Sequence, residues 1–152
     1  MKSTSEKCDK AVRELIIINH DRTEGYARAA EEATDNDLRI IFTRFSTQSK
    51  TFSNQLKDFI GDWDKLPEDD KTKLSGKLYR VWMDMKAAIA GNNRKAVLNS
   101  CEFGEDVAKK TYDDILSDTE DIPSDALAVI RQQRMALQEG HDMIKSMRDR
   151  AA

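Results

Sequence analysis

At 152 residues the chain is long enough for one domain and short for two, and a chain of this size buries roughly 68–70% of its unfolded surface without staples. Its 35% charged and 39% apolar residues are too polar for a membrane protein and patterned enough to fold. The 25 Lys+Arg against 28 Asp+Glu give −3, with no basic excess for nucleic acid, and six glycines and two prolines are sparse for an all-β fold.

Ser3 and Glu6 have capping-box spacing, and apolar residues then recur at helical intervals. One face of this first helix, from about residue 4 to about 33, carries Cys8, Val12, Leu15, Asn19, Arg22, Tyr26, Ala29 and Ala33. Thr34 to Asp37 reads as both a stop and a new N-cap. A second stripe follows, with Leu38, Ile41, Phe42, Phe45, Ser49, Phe52, Leu56, Phe59 and Trp63. The short link predicts an antiparallel hairpin.

Leu66 to Asp70, with Pro67, breaks the pattern, and a shorter amphipathic stretch turns Leu74, Leu78, Val81, Trp82, Met85 and Ile89 to one side. Gly91, Asn92 and Asn93 end it. A third long helix carries Val97, Leu98, Cys101, Glu105, Ala108, Tyr112 and Ile115 inward. After an acidic loop, Pro123 suits the first turn of a last helix that faces Ala126, Ile130, Gln133, Leu137 and Ile144 inward, with His141 and Met147 less central.

The pattern predicts an all-α fold, a ferritin-like four-helix bundle about 35–45 Å long. Its second and third long helices are joined by about 30 residues that hold a short extra helix, far beyond the usual 2–8. Such a crossover makes those two helices parallel; a five-helix up-and-down array is the alternative. No repeat or linker divides the chain, so residues 1–152 read as a single domain.

Several inward positions are polar. Asn19 and Arg22 lie within about 40° of the centre of the first stripe, and Glu105 lies similarly on the third. Ser49 sits inside the second stripe with Gln48 on its flank, and Gln133 faces inward on the last. All are near mid-helix, which predicts a buried polar layer built on an Arg22–Glu105 pair.

The competing reading is a metal site for iron or manganese, using Glu102, Glu105 and His141 with Gln138 or Gln133. Its donor set is incomplete. Glu102-x-x-Glu105 ends in Glu, Gln138-x-x-His141 begins with an amide, and the second helix offers no inward carboxylate. His20, Asp21, Glu24 and Glu31 project well off the first helix's buried face, with His20 expected in solvent. Arg22 would repel a divalent cation. No phosphate loop or catalytic triad motif is present.

Cys8 and Cys101 fall on apolar stripes and read as buried thiols rather than a disulfide. The charged N-terminus and its short apolar run, Leu15–Ile18, argue against a signal peptide or a spanning helix, so a soluble cytoplasmic protein is expected.

Four stretches carry a resemblance: Asn19–Glu31 (NHDRTEGYARAAE), Trp82–Gly91 (WMDMKAAIAG), Cys101–Ala108 (CEFGEDVA) with Tyr112 beyond, and His141–Asp142 with Ile144, Arg148 and Asp149. Together they resemble an uncharacterised bacterial family of ferritin-like four-helix-bundle proteins, a domain of unknown function, over about residues 10–149. The resemblance implies a fold and no established reaction. Asp21, Glu24, Glu31, Glu102, Glu105, Asp106 and His141 match the family pattern, but the full di-iron signature is absent.

Three functions fit these features. The first is a non-enzymatic bundle protein of a stress-associated kind, with no cofactor, no nucleic acid and no membrane, working through self-association or a protein partner. The second is the degenerate metal binder. The third is a small-ligand binder beneath the crossover helix, around Trp82, Met85 and Tyr112.

Overall fold

The computed structural model describes residues 2–60 and 76–151, with side chains described from residue 6 to 60 and from 78 to 151. Five helices account for most of them: α1 (Lys2–Glu32), α2 (Asn36–Lys57), α3 (Gly76–Ala90), α4 (Arg94–Leu116) and α5 (Ser124–Arg150). No strand occurs among the described residues. The expected end of the second stripe at Trp63, the break at Leu66–Asp70 and Leu74 lie outside them.

Ion pairs between helix ends give the directions. Lys7 Nζ meets Asp118 Oδ2 at 2.7 Å, joining the start of α1 to the chain just after α4. At the other end Arg94, opening α4, holds Asp35 at 2.9 Å and Asp37 at 2.6 Å, where α1 gives way to α2. Thus α1 runs antiparallel to both α2 and α4, and α2 is parallel to α4. Arg134–Asp113 at 2.6 Å makes α4 and α5 antiparallel. The connection from α2 to α4 therefore crosses the bundle, and α3 makes the return. It packs against α1 and α4, not as a member of a sequential array.

The local chemistry fits these boundaries. Asn92 adopts the left-handed conformation (φ 54°) and Asn93 caps α4 by accepting from Ala96 N at 3.1 Å. Asp35 occupies the N-cap position of α2 but makes no capping bond, its carboxylate being engaged by Arg94. α1 is already helical from Lys2, about two residues before the start expected from the sequence. Pro123 precedes α5 as its N-cap, one position earlier than expected.

Burial divides the core in two. One apolar cluster gathers Val12, Leu15, Ile16, Leu56, Leu78, Ile130 and Leu137; the other gathers Tyr26, Phe42, Phe45, Met85, Leu98, Cys101 and Ile144. The buried polar residues lie between them. At roughly 1.5–3 kcal/mol per buried aliphatic or aromatic side chain, these clusters are what hold the helices together. No described helix is long and apolar enough to cross a membrane.

Candidate functional site

Arg22 projects from the middle of α1 and Glu105 from the middle of α4, on the faces that their helical periodicity turns inward. Arg22 Nε donates to Glu105 Oε2 at 3.0 Å and its terminal Nη2 donates to Oε1 at 2.8 Å, a bidentate pair. The remaining Nη1 donates to Ser49 Oγ on α2. Tyr26 Oη donates to Glu105 Oε2 at 2.7 Å and lies 3.3 Å from Cys101 Sγ. The guanidinium carbon also sits 5.4 Å from the Tyr26 ring centre and 5.8 Å from that of Phe45.

A second strand of the layer crosses the bundle one turn away. Asn19 Nδ2 donates to Tyr112 Oη at 2.8 Å and to Leu15 O at 2.8 Å. Tyr112 Oη donates to Gln133 Oε1 at 2.6 Å, and Gln133 Nε2 donates to Gln55 Oε1 at 3.0 Å. Four helices therefore contribute to a layer built of two neighbouring hydrogen-bonded groups.

Its electrostatics follow from burial. Desolvation opposes the Arg22 charge, but Glu105, with Tyr26 and Tyr112 acting in the same sense, outweighs it, and the pKa of Arg22 is raised. Burial pushes the Cys101 thiol well above its ordinary range, with the Glu105 charge adding to the effect. Burial likewise pushes Tyr112 up, against the opposing bond from Asn19. Both groups stay protonated near neutrality.

Asn19, Arg22, Ser49, Glu105 and Gln133 thus come together. Gln48 does not: it is half-buried on the flank, and its Oε1 finds no hydrogen-bond partner. Tyr112 is displaced from the expected ligand groove into the polar layer, because it faces the bundle axis rather than α3. Tyr26 and Gln55 are layer members that sequence reasoning did not assign there.

Glu102, Glu105 and His141 do not converge. Glu105 is held by Arg22, whereas Glu102 pairs with Arg148 on the α4–α5 seam. His141 Nε2 lies 3.0 Å from Asp106 and 3.8 Å from Glu102 there, with Nδ1 3.2 Å from Asp142. Among the described residues no group of three or more His, Cys, Asp and Glu side chains has the geometry to hold a metal ion. The donor set does not fit a di-iron centre, since both Glu105 oxygens already face the Arg22 guanidinium.

Two expectations on α1 are corrected. Asp21 is buried, at 8% exposure, and His20 is half-buried rather than solvated. Desolvation lowers the His20 pKa, with Lys57 acting in the same sense. The reason for Asp21 is α3, which covers a second face of α1. Trp82 lies so close to Gly25 that a Cβ there would stand 2.2 Å from the indole ring. Tyr26 meets the same indole edge-on, ring centres 5.1 Å apart. A cleft opens beside this contact, lined by Asp21, Gly25, Tyr79, Trp82, Met83 and Met85 among others.

Fold and site together define a four-helix bundle with one crossover, closed at mid-height by an ion pair. The chain belongs to the family described as a domain of unknown function (DUF2383), whose profile matches residues 7–118. That span takes in the Asn19–Glu31, Trp82–Gly91 and Cys101–Ala108 stretches, and the His141–Asp149 stretch lies beyond it. Among curated proteins and among solved structures, none matches.

Proposed function

We propose that this is a non-enzymatic, cytoplasmic, single-domain bundle protein that works through binding, with its polar layer standing where ferritin-like proteins hold metal. The observation that carries the reading is the bidentate Arg22–Glu105 pair, both side chains 1% exposed. A carboxylate whose two oxygens already face a guanidinium has no charge left to attract a divalent cation. The rest of the layer offers amides and hydroxyls, which are poor competitors for iron or manganese. The free, buried thiols of Cys8 and Cys101, in separate apolar clusters, suit a reducing compartment.

Metal analysis after purification with Fe(II) or Mn(II) tests the reading. The expected result is no stoichiometric uptake and an unchanged unfolding midpoint. One metal per chain, lost in Glu105→Gln, would instead support the site of Glu102, Glu105 and His141.

A further inference from the structure

The cleft between α1 and α3 has a volume of about 240 Å³. That is below the roughly 300–1,000 Å³ of drug-sized pockets, so its size suits a small molecule. From α3 the lining is Tyr79, Trp82, Met83, Met85 and Ile89, two aromatic rings and two thioethers against aliphatic surface. From α1 it includes Asp21, more than nine-tenths buried.

Two polar groups here are incomplete. Asp21 Oδ2, an acceptor, and Trp82 Nε1, a donor, are both covered, and neither has a hydrogen-bond partner; an ammonium answers the first, whose charge makes it the costlier of the two. A carboxylate oxygen that is buried without a donor is unfavourable, most of all when the group is charged. A ligand that brings positive charge and N–H donors beside it removes that penalty, and low-polarity walls strengthen the attraction. Aromatic faces and thioethers favour the same charge and accept an apolar body. Around the rim Glu24 and Glu32 oppose Arg28 and Lys86, so with Asp21 the lining holds three acids to two bases. All four rim charges are exposed and hydrated and so count for little, which leaves buried Asp21 as the charge that decides which ion the cleft favours.

We infer that the α1–α3 cleft binds a small organic ammonium ion with an apolar body, its charge set against Asp21 and its body against Trp82, Tyr79 and the two methionines. This goes beyond the reading of the polar layer and does not depend on it.

The test uses the full chain and three probes of similar shape: phenethylammonium, phenethyl alcohol and phenylacetate. The indole N–H signal of Trp82 is followed by NMR at about pH 8, where carboxylates that titrate near neutrality are ionised. The ammonium is expected to shift that signal and to bind at least about tenfold more tightly than the alcohol, with phenylacetate weakest. In Asp21→Asn the margin of ammonium over alcohol should vanish while the alcohol still binds. Absence of ammonium binding, equal affinity for the three probes, or a margin that survives in Asp21→Asn overturns the proposal. If Asp21→Asn does not fold, the charge series on the unmodified chain decides alone.

Discussion

The Arg22 guanidinium and the Glu105 carboxylate meet edge to edge across the α1–α4 seam, at 3.0 and 2.8 Å. Desolvating two charges consumes most of what their attraction returns, so the pair adds little net stability over an apolar replacement. Removing one partner is a different matter, because the other charge then stays buried alone. Glu105→Ala and Arg22→Ala should each lose about 3–5 kcal/mol in denaturant unfolding. The double variant Arg22→Met/Glu105→Leu should recover most of that loss. A double variant no better than the singles would show that the surrounding layer, not the pair, sets the stability.

Gly25 and Trp82 make the closest packing between α1 and the crossover helix. Gly25→Ala places a methyl group inside the indole ring and must push α3 outward. Overpacking of this kind costs about 1–3 kcal/mol. A lower unfolding midpoint and a changed Trp82 indole signal are expected; an unchanged indole signal would mean that the backbone yields instead.

Burial pushes the Asp21 carboxyl up to about 7, with the Glu24 charge adding. The folded protein then keeps a proton that the unfolded chain releases near its ordinary 3.8. Stability therefore falls as pH rises from about 4 to about 7 and levels off above. Asp21→Asn has no proton to lose. It should be more stable than the parent at about pH 8 by about 2 kcal/mol, allowing for hydration at the cleft, with the gap closing towards about pH 4. Urea unfolding across that range measures it.

Tyr112→Phe removes the hydroxyl that accepts from Asn19 and donates to Gln133. Asn19 Nδ2 keeps its bond to Leu15 O, but Gln133 Oε1 is left buried without a donor, so the loss should be about 1–3 kcal/mol. Ammonium binding at the α1–α3 cleft should be unaffected, since Tyr112 is not part of its lining.

Cys101 is fully buried, and burial holds its thiol far from the reactive thiolate. Burial raises the Cys8 thiol as well, aided by Asp9 and Asp125, but 7% of Cys8 remains exposed. Under native conditions an alkylating reagent should modify Cys8 slowly and Cys101 only on unfolding, read by counting modified residues by mass.

Arg22, Glu105, Asn19, Ser49 and Gln133 were legible because each interrupts an apolar stripe at mid-helix. A charged residue on such a stripe has nowhere else to point, and a second of opposite sign at the same height names its partner. Asp21 was not legible, because counting around α1 assumed one buried face where there are two. Gly25 and Trp82 are the signal that remained in the sequence: a helical glycine invites a large ring from a neighbouring element. Tyr112 was misplaced for a related reason, since its position on α4 fits a stripe facing either the bundle axis or α3.

By itself, then, the sequence determined the helices, their inward faces, the crossover and the two charges that must meet inside. These are local properties, set by a period of 3.6 residues and by where the chain breaks it. Only the tertiary structure decided that α3 lies in the α1–α4 groove, that it buries Asp21, and that it leaves a cleft beside Trp82. Periodicity shows which face of a helix is apolar, but the depth and azimuth at which two helices seat depend on side chains far apart in the chain.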